Sequence, residues 1–398
     1  MRLWAVSAII CGVALGACSP GAERVAPATD SSVRLAGVTP AKGFTPLYFF
    51  KGRPDGVAPY GPLLFFEGAF YGTTANGGKR NDGTVFTLTL SGQEHVLHSF
   101  GEGADGGTPY GGLVAVKGTL YGTTQRGGTL GDGTVFSITR SGTEKVIHSF
   151  AGSDGAEPHA GLVTVGGALY GTTAAGGPGE QDGTVFKVEL SGKEKVLHNF
   201  GASKEDGKVP NSSLTVFHGA LYGVTTNGGS AGSACTYGCG TVFKVDLAGN
   251  ESVVYSFRGS GAGDGAFPFG SLVVFHGALC GTTTVGGYYN QGIVFTVTPS
   301  GEESAFHNFA GGSDGAYPYD GPIEAAGALY GTTVQGGARG DGTIFELTAF
   351  RQERTLHGFV GSDGSSPFAS LTNVGGVLYG AASSGGKTNS GAIFKIAP

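Results

Sequence analysis

Along the whole chain, apolar and β-branched residues come in short runs, and small turn-forming residues close each run. Between Leu113 and Phe150, "LVAV" is followed by Gly118, "LYGTT" by Gly127 and Gly128, and "GTVFSIT" by Ser141 and Gly142, before "KVIHSF" completes the stretch. Runs of this length bounded by glycine and serine are the pattern of β-strands. No segment places apolar residues at the 3.6-residue spacing of a capped helix. The expectation is an all-β fold with four antiparallel strands per unit.

The unit repeats. "LYGTTQRGGTLGDGTVF" begins at Leu120, and close variants begin at Phe70, Leu169, Leu221, Leu279, Leu329 and Leu378. The second residue of each phrase is Tyr71, Tyr121, Tyr170, Tyr222, Cys280, Tyr330 and Tyr379, with gaps of 50, 49, 52, 58, 50 and 49 residues. A period near 50 residues is that of propeller blades. The chain ends are complementary: the last unit stops after its third strand, "AIFKIAP", while Pro46–Leu63, "PLYFFKGRPDGVAPYGPL", matches the end of a unit. An orphan fourth strand at about Thr45–Phe50 would therefore complete the last sheet. Such closure removes the exposed edge that invites aggregation. The predicted architecture is a seven-bladed β-propeller over residues 44–398, with an N-terminal strand closing the last blade.

Composition adjusts this picture little. Glycine is 78 of 398 residues, yet phenylalanine, tyrosine, valine and leucine recur in order, so a core can be buried. The net charge of −6 offers no basic patch for nucleic acid. Arg2 precedes the apolar run "LWAVSAIICGVALGAC", too short and too early to be a membrane span, and read as an export signal. Its end, "LGAC", resembles the bacterial lipoprotein box. Residues 1–18 are thus expected to be a lipoprotein signal peptide with Cys18 as the lipidated residue. Ser19 in place of an acidic residue favours the outer membrane. Residues 19–43 have the composition of a tether. The expectation is a cell-envelope protein, held at the membrane through its N-terminal lipid, and a monomer. Cys235 and Cys239 lie four apart in an insertion of one repeat, where a small disulfide is favoured over a zinc knuckle that would lack its second ligand pair.

The phrase "LYGTT..GG....GTVF.....G....LHSF.G.DG..P..GL" resembles the GloVer tandem repeat of bacterial exported proteins, over about residues 45–398. The resemblance implies a secreted repeat protein and no particular activity. The chain departs from the phrase at Cys280, at Ala381–Ala382 and at Tyr255.

Repetition itself bears on chemistry. A phosphate-cradling glycine loop would occur once and lead into a helix, so glycines in every unit are expected to serve turns. His98, His148, His198, His307 and His357 recur in fourth strands, and equivalent outer-strand positions are expected to point apart rather than converge on a metal. Asp55, Asp105, Asp154, Asp206, Asp264, Asp314 and Asp363 lie in "DG..P" loops, where each is expected to accept backbone N–H bonds. A Ca²⁺ ring is the lesser alternative, since one carboxylate per loop is short of the oxygens Ca²⁺ takes; no cofactor is otherwise implied. Departures are the better place to seek a site. In the first strands the third position reads Phe65, Ala115, Thr164, Val216, Val274, Glu324 and Asn373. Glu324 and Asn373 are polar outliers expected near the channel. Asp320, Tyr110, Tyr319 and Phe269 stand on the loop face that the tether would present outward. Acids beside aromatics suit a glycan or protein ligand; packing of the same aromatics between blades is the equal alternative. The leading reading is a ligand-binding or scaffolding envelope lipoprotein. The alternative is a glycan hydrolase or lyase with a channel-side acidic site, for which Glu324 with Asp320 is the nominated pair. No Ser-His-Asp, HExxH or dinucleotide motif is present.

Overall fold

The computed structural model describes residues 43–398 apart from 102–103, 180, 231–234 and 261–262. The signal segment, Cys18 and all of the tether before Gly43 lie outside the described residues. Among the described residues the regular structure is β-sheet apart from short 3₁₀ turns, as at Gly312–Asp314, and no helix is long and apolar enough to cross a membrane.

Seven four-stranded antiparallel blades follow one another around an axis. The first blade is Leu64–Phe66, Ala69–Thr74, Thr84–Thr89 and Glu94–Ser99. The seventh takes Thr372–Val374, Val377–Ala382 and Ala392–Ala397 from the C-terminus and Gly43–Phe49 from the N-terminus. The closing strand runs antiparallel to the last one, with Phe44 opposite Ile396 and Phe49 opposite Ala392. The fifth blade carries an additional short strand, Gly265–Pro268, against its long second strand. The disulfide Cys235–Cys239 is formed within the insertion of the fourth blade.

The repeated phrase is explained by packing. The glycine of "LYGTT" lies opposite the phenylalanine of "TVF", and that ring lies over it: a Cβ on Gly72 would meet Phe86 at 2.6 Å, and one on Gly331 would meet Phe345 at 2.5 Å. The first threonine hydroxyl reaches the next blade, Thr73 donating to the Gly111 carbonyl at 2.9 Å and Thr123 to that of Ala160 at 2.8 Å. The second turns back on its own blade, Thr74 donating to the Asn76 carbonyl at 2.8 Å. Where Val224 replaces the first threonine, the Ser212 hydroxyl accepts the Val224 N–H at 2.9 Å from the other side. Cys280, in the tyrosine slot, is a fully buried free thiol.

Each blade interface holds an edge-to-face phenylalanine pair that joins the end of one fourth strand to the next blade's third strand. Phe257 and Phe295 are 4.3 Å apart and Phe359 and Phe394 5.3 Å. Phe50, just past the closing strand, meets Phe86 of the first blade at 5.3 Å, so the junction of the chain ends is packed like the others. Such pairs contribute about 0.5–1.5 kcal/mol beyond the area they bury.

Every third–fourth strand pair also contains a register shift, as between Val85 and Phe86 or Val135 and Phe136, and the closing pair repeats it at Pro46/Tyr48. A bulge bends the outer strand and re-aims its side chains. Strand runs alone did not imply it.

Candidate functional site

The loops between blades contain a repeated distortion. Ala58, Thr108, Glu157, Val209, Phe267, Tyr317 and Ser366 each precede a proline, and each has a φ of 52–58°. Left-handed backbone costs a non-glycine residue about 1–2 kcal/mol. The geometry offsets that cost by stapling two blades. The N–H of Ala58 donates to the Ser390 carbonyl of the seventh blade at 3.0 Å, and its own carbonyl accepts from Ala75 of the first at 3.0 Å. Val209 does the same between Asp182 and Thr226, at 2.9 and 3.0 Å.

The residue after each proline then faces the axis: Tyr60, Tyr110, His159, Asn211, Phe269, Tyr319 and Phe368. The next position is small in every blade but the sixth, where it is Asp320, because neighbouring loops approach so closely that a Cβ on Gly61 would meet Gly111 at 2.9 Å and one on Gly111 would meet Ala160 at 2.6 Å. The inward side chains touch in ring order. Centroids are 4.8 Å apart for Phe269–Tyr319, 4.4 Å for Tyr319–Phe368, 5.1 Å for Phe368–Tyr60, 5.2 Å for Tyr60–Tyr110 and 5.1 Å for Tyr110–His159. The circle continues through Asn211, which donates to the Thr226 hydroxyl at 3.1 Å; that hydroxyl donates to the Pro268 carbonyl at 3.3 Å.

This axial mouth has two unlike arcs. From the fifth blade to the first it is aromatic, and Phe267, Tyr317 and Val334 back the wall of Phe269, Tyr319 and Phe368. Burial raises the phenol pKa values of Tyr60, Tyr110 and Tyr319, and Tyr60 and Tyr110 add to the effect on Tyr319, so the three hydroxyls are mutual neighbours. From the second blade to the fifth the mouth is polar. Gln125 Oε1, His159 Nε2, Asn211 Oδ1 and Thr284 Oγ1 are buried atoms without a hydrogen-bond partner among the described residues. Gln125, Asn211 and Thr284 are 8%, 9% and 4% exposed. The His159 ring also meets the Asn211 side chain, a contact that favours the protonated imidazole and is outweighed by burial. Burial lowers the imidazole to about 4, so it is neutral at neutral pH.

Of the residues singled out from sequence, Tyr110, Tyr319 and Phe269 stand in this ring. Asp320 adjoins it, but its carboxylate is occupied: it accepts the N–H groups of Ser271 (3.1 Å), Gly321 (2.7 Å) and Ser370 (3.0 Å), tying the fifth, sixth and seventh blades together. Burial raises its pKa while these donors lower it. Glu324 and Asn373 sit instead at the hairpins between first and second strands, where they accept the N–H of Gly327 (2.8 Å) and of Gly376 (3.0 Å). The nominated acid pair is thus two carboxylates engaged by backbone donors of separate loops. Gln125, His159, Asn211 and Thr284 were not anticipated. For His159 and Asn211 the signal was the column after proline, which reads Tyr, Tyr, His, Asn, Phe, Tyr, Phe; for Gln125 and Thr284 it was the column after "TT", which reads Ala75, Gln125, Ala174, Thr226, Thr284, Val334 and Ser383.

The outer rim carries a second recurring arrangement. The fourth-strand His or Tyr meets the Asp of the following loop in every blade: His98–Asp105 at 2.9 Å, His307–Asp314 at 2.8 Å and Tyr255–Asp264 at 2.8 Å are typical. Each Asp also accepts a backbone N–H of its own loop, as Asp154 does from Ala151 at 2.8 Å. The next blade adds a glutamate beside the pair. Burial, then the adjacent Asp, pushes Glu94, Glu144, Glu194 and Glu303 up to about 7. At the seventh blade Phe44 takes the glutamate's place and stacks on His357, with centroids 3.7 Å apart. The histidines, expected to diverge from one another, each gain acidic neighbours within their own interface.

The chain belongs to the Gloeobacter/Verrucomicrobia repeat family, which matches residues 33–237 and 230–398. No curated protein matches it. Solved structures similar in fold include a protein provisionally named a gluconolactonase, at 13% identity and a TM-score of 0.43, covering 72% of this chain and 87% of the other. Another, from Bacteroides fragilis and provisionally named a 6-phosphogluconolactonase, is 14% identical with a TM-score of 0.48, over 79% of this chain and 87% of the other.

Proposed function

We propose that this is a lipid-anchored envelope protein whose propeller binds a glycan at the axial mouth. The observation that carries the reading is the pairing of unpartnered buried polar atoms in one arc with an aromatic wall in the other. A buried donor or acceptor without a partner costs about 1–3 kcal/mol, and a ligand that supplies the partner recovers it. A sugar offers hydroxyls to Gln125, His159, Asn211 and Thr284, and an apolar C–H face to Phe269, Phe368 or Tyr319. Membrane attachment through Cys18 rests on the leader sequence. The engagement of Asp320 and Glu324 by backbone donors favours binding over glycan cleavage. The test is a glycan array on the purified full mature chain, followed by titration of any hit against Asn211→Ala and Phe368→Ala. At least tenfold weaker binding by both variants is expected. Absence of any hit, or unchanged affinity in both variants, would overturn the reading.

A further inference from the structure

We propose that the outer rim between the third and fourth blades holds one divalent transition-metal cation of the zinc type through His198, Asp206 and Glu251. One ligand atom from each residue lies within 4.8 Å of the others. His198 comes from the third blade's fourth strand, Asp206 from the interblade loop and Glu251 from the start of the fourth blade's outer strand. Donors about 2.0–2.2 Å from a tetrahedral zinc ion stand about 3.4 Å apart, so side-chain closure of about 1 Å completes the set.

The neighbouring interfaces show what is particular here. Between the second and third blades, His148, Asp154 and Glu194 are similarly spaced. There the imidazole and aspartate already satisfy each other: His148 Nε2 is 2.9 Å from Asp154 Oδ2, and Asp154 Oδ1 accepts from Ala151. Between the third and fourth blades the same contact opens to 3.5 Å. His198 Nε2, Asp206 Oδ1 and Glu251 Oε1 are then all buried and without a hydrogen-bond partner. Asp206 Oδ2 accepts the Ala202 N–H at 3.0 Å, as Asp154 accepts from Ala151, so Oδ1 alone is open, and with Asp206 6% exposed it has little water to turn to. Of the two lysines of the same loop, Lys208 is bound to Asp182 instead and Lys204 is exposed. Three other interfaces lack a donor outright: Tyr48 and Tyr255 replace the histidine, and Phe44 replaces the glutamate beside His357. The two remaining sets, with Glu144 and Glu353, keep imidazole and aspartate paired, His98 to Asp105 at 2.9 Å and His307 to Asp314 at 2.8 Å. Two carboxylate oxygens and one imidazole nitrogen left open together are all donor types that zinc accepts. Calcium, which takes six to eight oxygens, is poorly served.

The experiment uses the full mature chain, stripped with EDTA and dialysed, and titrated calorimetrically with ZnCl₂ and with CaCl₂. One equivalent of Zn²⁺ and no matching Ca²⁺ event are expected. Glu251→Gln and Asp206→Asn should each weaken Zn²⁺ at least tenfold, while Glu194→Gln leaves it unchanged. The melting temperature of the unsubstituted chain should rise with Zn²⁺, and that of Glu251→Gln should not, with far-UV circular dichroism reporting that the variant is folded. Absence of Zn²⁺ binding, tight binding retained by Glu251→Gln, or loss in Glu194→Gln instead would overturn the proposal.

Discussion

The axial mouth and the outer rim are built on the same repeat and behave in opposite ways. At the rim a position that is His in one blade is His or Tyr in the others, always meeting an Asp, and six of the seven interfaces add a Glu. At the mouth, the position after proline is aromatic in five blades, His in one and Asn in one. The rim side chains solve a problem that every interface shares, which is how to join an outer strand to the next blade. The mouth side chains meet one another only at the axis. There a difference between blades creates a surface with two sides rather than a defect in the ring. The lesson is that in a closed repeat, architecture is read from what recurs and recognition from what does not.

Three substitutions or conditions separate the two regions. The largest effect is expected from Phe295→Ala, at a repeated position that is fully buried against Phe257. It should destabilise the propeller by about 3–5 kcal/mol, seen as a lower urea midpoint, whereas the half-buried mouth residue Phe368 tolerates alanine with a loss of about 1 kcal/mol or less. Similar losses at both would erase the distinction between scaffold and mouth.

A smaller effect is expected from pH. Glu94, Glu144 and Glu303 stand near 7 in the folded chain against an ordinary value of 4.5, through burial and the neighbouring Asp55, Asp105 and Asp264. Lys51 beside Glu94 and Arg258 beside Glu303 oppose the shift. Between those two pH values the folded state holds protons that the unfolded state has released. The stability these glutamates contribute is therefore fullest below about pH 4.5 and declines as pH rises through about 7, while His159, lowered by burial to about 4 from 6.5, works the opposite way between those two values and is outnumbered. The melting temperature should fall from pH 5 to pH 8, and Glu303→Gln should flatten the slope. A melting temperature that rises over that interval would contradict the rim's description.

The smallest effect is expected from Glu324→Gln with Asn373→Ala, residues that cap hairpins away from the mouth. Stability should stay within about 0.5 kcal/mol for each, and the affinity of any ligand found should not move. A tenfold change in affinity would place recognition at the hairpins instead.

Much of the fold was legible in the order of residues. The seven variants of "LYGTT" marked seven blades, and the unmatched "PLYFF" near the start marked the strand that the last blade lacks. Cys235 and Cys239 were close enough to pair without reference to any other part of the chain. The site was only partly legible. Tyr110, Tyr319 and Phe269 were found through the "DG..P" loops, but Glu324 and Asn373 were drawn in by polarity in a strand, and polarity at a strand end also serves a turn. His159 and Asn211 were passed over because a single histidine or asparagine in one loop carries no signal until its six counterparts are aligned beside it. The glutamates of the rim lie 46–53 residues from the histidines they approach, in a different blade, so no local pattern joined them.

What the sequence determined by itself is the number of blades, their strand order and the way the ring closes, because these follow from local turns and a repeated alternation of apolar runs. Only the tertiary structure decided which side chains meet: the bulges in the outer strands, the left-handed residue before each proline, the two-sided mouth and the open cluster of His198, Asp206 and Glu251. Those depend on how one blade is rotated against the next, and that rotation is set by packing between segments far apart in the chain.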